Sequence, residues 1–445
     1  MNQQFSRPLI YERVFLRSPM NEVIVIAQIN GHLSKKILEE ALIKVSEKHP
    51  LLCSKISIDP DGKAEFVNEG YCKFEINEFF QPLNQSGLEF ALSSVQKSFQ
   101  INKAPLIKFG LIYNENITEL VIICHHIICD GLSLMGILQD ILKFASNPLI
   151  PTKPIKELPL IIQKNLPSNY HPSKLVTWFI SRINKKWMRD KVIFSELSFQ
   201  KMHAITWQNK SRRVYTKIFS REITKNFIER CQKENITVNS AVSTAILIAQ
   251  NMVLDLKKKK KYTVSMAIDL RNKLKVDIGD ALGLYAGVLF FRLRLDPSRS
   301  FLEESRKIHL KILKHIIPKK IYALTLLNLF DPNLIDAIYF QNTGIIDINI
   351  VQKFSNLVDI HKLKDGVAIT NLRNILIPPN YGNFQLNSLI FIPPWVMKHR
   401  IVMGLWSFNG RLGYSLNYWE PRITRKEVER ITQEFNEIIE HISSK

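Results

Sequence analysis

Apolar residues follow two spacings along this chain, and each predicts its own element. Val23 to Ile29 is almost continuously apolar and predicts a strand. After Ser34, which can cap a helix, Ile37, Leu38, Ala41, Leu42 and Val45 recur at helical spacing. That helix should end at His49-Pro50, because proline cannot continue it and biases the residue before it away from helix. Asp59-Pro60-Asp61-Gly62 predicts a turn between two further strands. Leu120-Val121-Ile122-Ile123-Cys124 is an unbroken apolar run, as expected of a strand covered on both faces. It runs straight into His125-His126. Beyond the histidines, Ser133 can cap a helix with Leu134, Ile137, Leu138, Ile141 and Leu142 on one face.

The second half repeats these signals. Thr237 to Ala241 opens a small-residue helix reaching about Met252, and Tyr262 to Ile268 predicts a strand. Ser300 with Glu303 and Thr424 with Glu427 are capping boxes, starting helices toward His315 and Ile442. Asn409-Gly410 between two apolar runs predicts a tight hairpin, Ile401–Phe408 with Leu412–Trp419. Between the halves, Ser146 to Ser173 is punctuated by Pro148, Pro151, Pro154, Pro159, Pro167 and Pro172, the composition of a connector. The expected organisation is therefore a lobe over 1–150, a connector over 151–173 and a second lobe over 174–445. The pattern is weakest over 318–360, where helices bordering a channel are expected.

Composition adds bounds. At 445 residues and 46% hydrophobic content the chain can build large cores in two or three domains. No apolar run reaches the ~18 residues of a spanning helix, and the first residues lack the apolar core of a signal peptide, which points to a cytoplasmic protein. Five cysteines without CxxC spacing argue against a disulfide framework. Cys124, His125, His126 and Cys129 lie too close in sequence for the usual two-arm zinc spacing, so no metal is expected. The net charge of +21 asks for an anionic partner. Nucleic acid is disfavoured for want of a recognisable motif. A membrane surface has one candidate helix, from Trp178 to Arg189. The lysine run 257–261 reads as a solvated loop.

The chemistry concentrates in His125-His126-Ile127-Ile128-Cys129-Asp130-Gly131. Two imidazoles, a carboxylate and a glycine sit on a strand-to-helix turn, and an imidazole there can serve as general base near neutral pH. A histidine pair alone is more often two satisfied side chains at a strand end. The Asp-Gly at its fixed offset, between a buried strand and a helix, outweighs that.

This HHxxxDG pattern resembles the signature of the condensation-domain and chloramphenicol-acetyltransferase-like acyltransferase superfamily. The early strand, helix and His49-Pro50-Leu51-Leu52 resemble its opening. Gly283 to Arg292 resembles a later stretch, except that Gly287 stands where condensation domains carry asparagine. That departure leans away from peptide-bond formation and toward the stand-alone polyketide-associated and alcohol acyltransferases. The plant BAHD signature has only a faint echo in Tyr381-Gly382-Asn383-Phe384.

The resemblance implies an α+β fold of two acetyltransferase-like lobes in a V-shaped pseudo-dimer, with the active site between them. It implies transfer of an acyl group from a phosphopantetheine or coenzyme A thioester to an alcohol or amine. His126 would be the base, with no covalent enzyme intermediate and no bound cofactor. Gly131 N–H would be an oxyanion donor. His125 would have an orienting role, and Asp130 would pair with Arg271. Tyr285, Gly287 and Asn371 become candidates for the substrate channel. An acidic acyl or peptidyl carrier protein becomes the expected partner.

Overall fold

Each half of the chain folds around a six-stranded sheet, because the apolar runs supply strands and the amphipathic segments supply the helices that cover them. The computed structural model describes residues 6–80, 86–155, 158–254, 261–296, 298–357, 366–395 and 399–444. The first half runs β1 (Ser6–Pro8), α1 (Arg13–Leu16), β2 (Glu22–Asn30), α2 (Lys35–Lys48), β3 (Ser54–Ile58), β4 (Ala64–Asn68), β5 (Glu75–Phe80), α3 (Gly87–Ser94), β6 (Ile107–Asn114), β7 (Ile117–His125) and α4 (Gly131–Ser146). The connector has one short 3-10 turn, Gln163–Asn165. The second half begins α5 (Lys174–Trp187), α6 (Glu196–Trp207), β8 (Ser211–Ile218), α7 (Arg221–Lys233), α8 (Val238–Val253), β9 (Tyr262–Asp269), β10 (Ala286–Leu293) and α9 (Phe301–Leu313). It continues α10 (Pro318–Ile321), α11 (Pro332–Asn342), α12 (Asn349–Leu357), β11 (Gly366–Asn374), β12 (Asn380–Tyr381), β13 (Phe384–Ile392), β14 (Ile401–Phe408), β15 (Arg411–Glu420) and α13 (Arg425–Ser443).

The fold is α+β. One sheet has the order β12-β13-β2-β7-β6-β5 and the other β10-β9-β11-β14-β15-β8; a three-stranded sheet, β1-β4-β3, flanks the first. The expected boundary between lobes needs correction. β12 and β13, from the second half, join the first sheet, with Ile26 opposite Ile390 and Ile24 opposite Ile392. The crossing strand covers the edge of β2, which would otherwise expose a row of unpaired backbone groups.

Ser34, Ser300, Thr237 and Thr424 cap their helices as the sequence suggests. Asn409 and Gly410 both take positive φ, closing the β14–β15 hairpin. Tyr381 to Phe384 is the β12–β13 turn, against Ser146 at the end of α4. Lysines 257–260 lie outside the described residues.

Two expectations fail locally. The helix after the histidines begins at Gly131, capped by Asp130 rather than Ser133. The cysteines do not all remain thiols: Cys53 and Cys72 form a disulfide across the β3–β4 hairpin, whereas Cys124, Cys129 and Cys231 are free and buried.

Helices α5, α6, α11 and α12 share a second core built on Trp187, Phe199, Leu334, Phe340 and Phe354. It is keyed to α1, where Arg13 Nε donates to Asp336 Oδ1 at 3.0 Å and Arg17 pairs with Glu196 at 3.0 Å. The described part of 318–360 is thus helical. Together with α6 and the segment just before β2 it borders an apolar cavity of about 490 Å³, lined by Met20, Met202, Ile335 and Trp419. No single described helix is long and apolar enough to cross a membrane.

Candidate active site

β7 delivers both histidines to the end of a buried strand, and the next four residues turn the chain into α4. His126 is held at its backbone, where its N–H donates to Asn21 O at 3.1 Å. Its Nδ1 lies 2.7 Å from the carbonyl oxygen of Cys129. A carbonyl only accepts, so Nδ1 carries the proton and Nε2 keeps its lone pair. Nε2 has no hydrogen-bond partner among the described residues, and His126 lines a cavity between the two sheets. Burial lowers the imidazole from its ordinary pKa; the Cys129 carbonyl and Asp130 oppose that shift only in part. Phe15 packs on the ring, centroids 4.5 Å apart. The outcome is a neutral imidazole with one free nitrogen, the form a general base requires.

His125 is placed differently. Its ring lies against Phe99, its Nε2 is 3.0 Å from Asn21 Nδ2, and its Nδ1 faces the Ile127 N–H at 3.3 Å. Burial, with smaller contributions from His126 and Arg17, lowers it to about 3. It orders the turn and does not reach the cavity.

Asp130 faces away from the imidazole and across to the second sheet. Its Oδ1 accepts from Ser133 N at 2.9 Å and from Arg271 Nη2 at 2.8 Å, and its Oδ2 accepts from Tyr285 N at 2.9 Å. Its own N–H donates to Gly283 O at 3.0 Å. Ser133 Oγ completes the web, donating to Gly283 O at 2.9 Å and accepting from Arg271 Nη2 at 2.9 Å. Burial alone would raise the Asp130 carboxyl, but Arg271 and the two backbone N–H groups outweigh it and hold the group low. Arg271 is held up in turn, since Asp130 and Asp269 overcome its own desolvation.

Tyr285 belongs to this web and not to a channel. Its hydroxyl donates to Pro159 O at 3.2 Å, its ring lies under Arg271, and it is fully buried. It lines none of the cavities described here, which corrects the expectation.

The cavity at His126 is small, about 80 Å³. Phe15, Gly131 and Phe391 line it from the first sheet's side, and Ser265, Ala267 and Gly287 from the second's. Gly131 is the first residue of α4, and its N–H has no acceptor among the described residues. A side chain there would come within 2.7 Å of Leu372 and 2.9 Å of Phe391. At Gly287 a Cβ would meet the backbone oxygen of Ile321 at 2.9 Å, so the space an asparagine would need is filled by the end of α10. Asn371 is not at the small cavity. It donates to Asn239 at 2.6 Å in the wall of a larger one, about 960 Å³, on the helical side of the second sheet. Ala267 borders both cavities, and Leu132 and Leu372 bring the larger one up to Gly131. Among the described residues no three His, Cys, Asp or Glu side chains converge as a metal site.

Sequence reasoning missed Phe15, Ser133 as a lobe-bridging hydroxyl, and the Cys129 carbonyl. The carbonyl leaves no trace in side-chain chemistry. Ser133 left one, at the third residue of the helix, but it was read as a cap.

Residues 12–156 match the Condensation domain family. Gramicidin S synthase 2 of Brevibacillus brevis is 22% identical over 275 residues, which is 61% of this chain and 6% of that much longer one. Trichothecene 15-O-acetyltransferase from Fusarium sporotrichioides superposes with a TM-score of 0.70 at 12% identity, covering 99% of this chain and 95% of that one. Polyketide synthase associated protein 5 from Mycobacterium tuberculosis gives 0.62 at 14% identity, covering 97% and 98%. The first third of this chain therefore matches the condensation-domain model, and nearly the whole of it shares the fold of these two solved structures.

Proposed function

We propose that the protein transfers an acyl group from a carrier-bound phosphopantetheine thioester to an alcohol or amine, with His126 as general base. The observation that carries this is the fixed tautomer: Nδ1–H on the Cys129 carbonyl, Nε2 open at the intersheet cavity. Nε2 takes the acceptor's proton as its oxygen or nitrogen attacks the thioester carbonyl. Negative charge then develops on the carbonyl oxygen, where the unpaired Gly131 N–H at a helix start can receive it. Collapse breaks the carbon–sulfur bond, and the departing thiolate recovers the proton from Nε2. No covalent enzyme intermediate forms.

The larger cavity supports a macromolecular donor. Exposed Leu313 and Ile316 line it, and the same segment of chain carries exposed Leu310 and Ile317 with Lys311, Lys314 and Lys319. Partial burial, then Lys307, Lys320 and Lys261, depress Lys311, a mark of crowded positive charge. An acidic carrier protein matches such a segment, and its long arm suits a path past Ala267 to His126. The closed space at Gly287 favours ester over amide formation, and with it a second reading in which coenzyme A supplies the acyl group to an alcohol.

The test pairs each acyl chain on a carrier protein with the same chain on coenzyme A. Higher kcat/KM for the carrier at low salt, falling as salt screens the encounter, is expected. Equal values would replace the carrier with coenzyme A. Carrier binding without turnover on any acceptor would reduce the protein to a recruitment domain. His126→Ala should lower turnover about a hundred- to ten-thousandfold with an unchanged melting curve.

A further inference from the structure

The helical satellite presents a surface that acyl transfer does not use. In α5, Leu175, Trp178, Phe179, Arg182, Lys185, Lys186 and the following Arg189 fall on one stripe at helical spacing, opposite buried Ile180, Ile183 and Trp187. The stripe is apolar toward its N-terminal end and cationic toward its C-terminal end. Leu175 is 72% exposed and Trp178 54%, a poor arrangement for side chains with no partner. Arg182 lies over the Trp178 ring at 5.0 Å. Alongside runs α12, adding Ile350, exposed Lys353 and exposed Leu357, and the two helices enclose an open groove of about 410 Å³. No acidic residue occurs from Lys174 to Arg189, and the stripe's cations make no ion pair among the described residues.

We propose that this face docks the protein on an anionic lipid surface. Charge complementarity selects the occupant. Long basic side chains flank aromatic and aliphatic ones on the same exposed stripe, so the apolar tips can enter the headgroup boundary while the charged heads stay at phosphate level. α5 lies in the plane of such a surface and does not span it. The site stands apart from both cavities that approach His126 and does not rest on the acyl-transfer chemistry.

The experiment is co-sedimentation of the full chain with vesicles of phosphatidylcholine alone and with added phosphatidylglycerol. Binding should require phosphatidylglycerol and fall with salt. Lys185→Glu with Lys186→Glu should weaken it by at least roughly fivefold per charge. Trp178→Ser with Phe179→Ser should weaken it separately. These side chains are exposed, so melting should not change; a variant that melts early is replaced by Lys185→Gln with Lys186→Gln. Absence of binding to phosphatidylglycerol vesicles, or equal binding by wild type and the charge variants, overturns the proposal. Loss of carrier-protein binding in the same variants, without vesicle binding by the wild type, overturns it in favour of a protein occupant.

Discussion

The free nitrogen of His126 has a consequence in pH. Burial lowers the imidazole below its ordinary value of 6.5, so the neutral base persists to lower pH than a solvated histidine would. The acid limb of kcat/KM should therefore fall below pH 6.5, as measured with a donor whose own ionisation is constant over that range. A limb at or above 6.5 would contradict the dominance of burial over the Cys129 carbonyl and Asp130 at this imidazole. The Asp130–Arg271 pair makes a separate prediction. Arg271→Ala should cost about 3–5 kcal/mol of unfolding free energy, because it strands the buried Asp130 carboxylate, and Asp130→Ala should cost less, because Arg271 keeps Asp269. The double variant should fall short of the sum by about 1–3 kcal/mol, and additive values in urea titrations would reject the coupling. The linkage follows the Asp130 carboxyl. Its folded pKa is held low, so its contribution is present above the unfolded value of about 3.9 and is lost as pH falls through the lower folded value.

At the scale of elements, much was legible. Capping residues, the Asn409-Gly410 turn and the apolar runs act locally, and β2, α2, α8, β14 and β15 follow from them to within a residue or two, while β7 begins three residues before the run that announced it. The start of α4 was misread because Asp130 and Ser133 are both good caps and only the fold decides between them. Tyr285 was misplaced because a buried hydroxyl on a backbone carbonyl looks, in sequence, like one open to a channel. Pairing of Cys53 with Cys72 was illegible: parity argued against it, and only the β3–β4 hairpin brings the two together. That bond closes a loop of 19 residues. Replacing both cysteines by serine should lower stability by about 3 kcal/mol on the chain-entropy estimate. Reductant should lower the wild-type unfolding midpoint and leave the variant's unchanged.

The whole molecule is less divisible than its two sheets suggest. β13 leaves the second half to complete the first sheet, so a fragment ending at residue 173 would expose the apolar edge of β2. Such a fragment is expected to aggregate, whereas the full chain should unfold with its two sheets in one transition; a soluble, cooperatively melting fragment would show that the crossing strand is dispensable. No local pattern announced this exchange, since strand pairing across hundreds of residues leaves only alternation that any neighbour could satisfy. The web around Asp130 has a mechanical meaning as well. One carboxylate caps α4, grips Arg271 and takes the Tyr285 N–H, so the turn after His126 is the pin on which the two halves are hung. Prising them apart there would uncap the helix that begins at Gly131, so the contact between the halves and the turn that follows His126 stand or fall together.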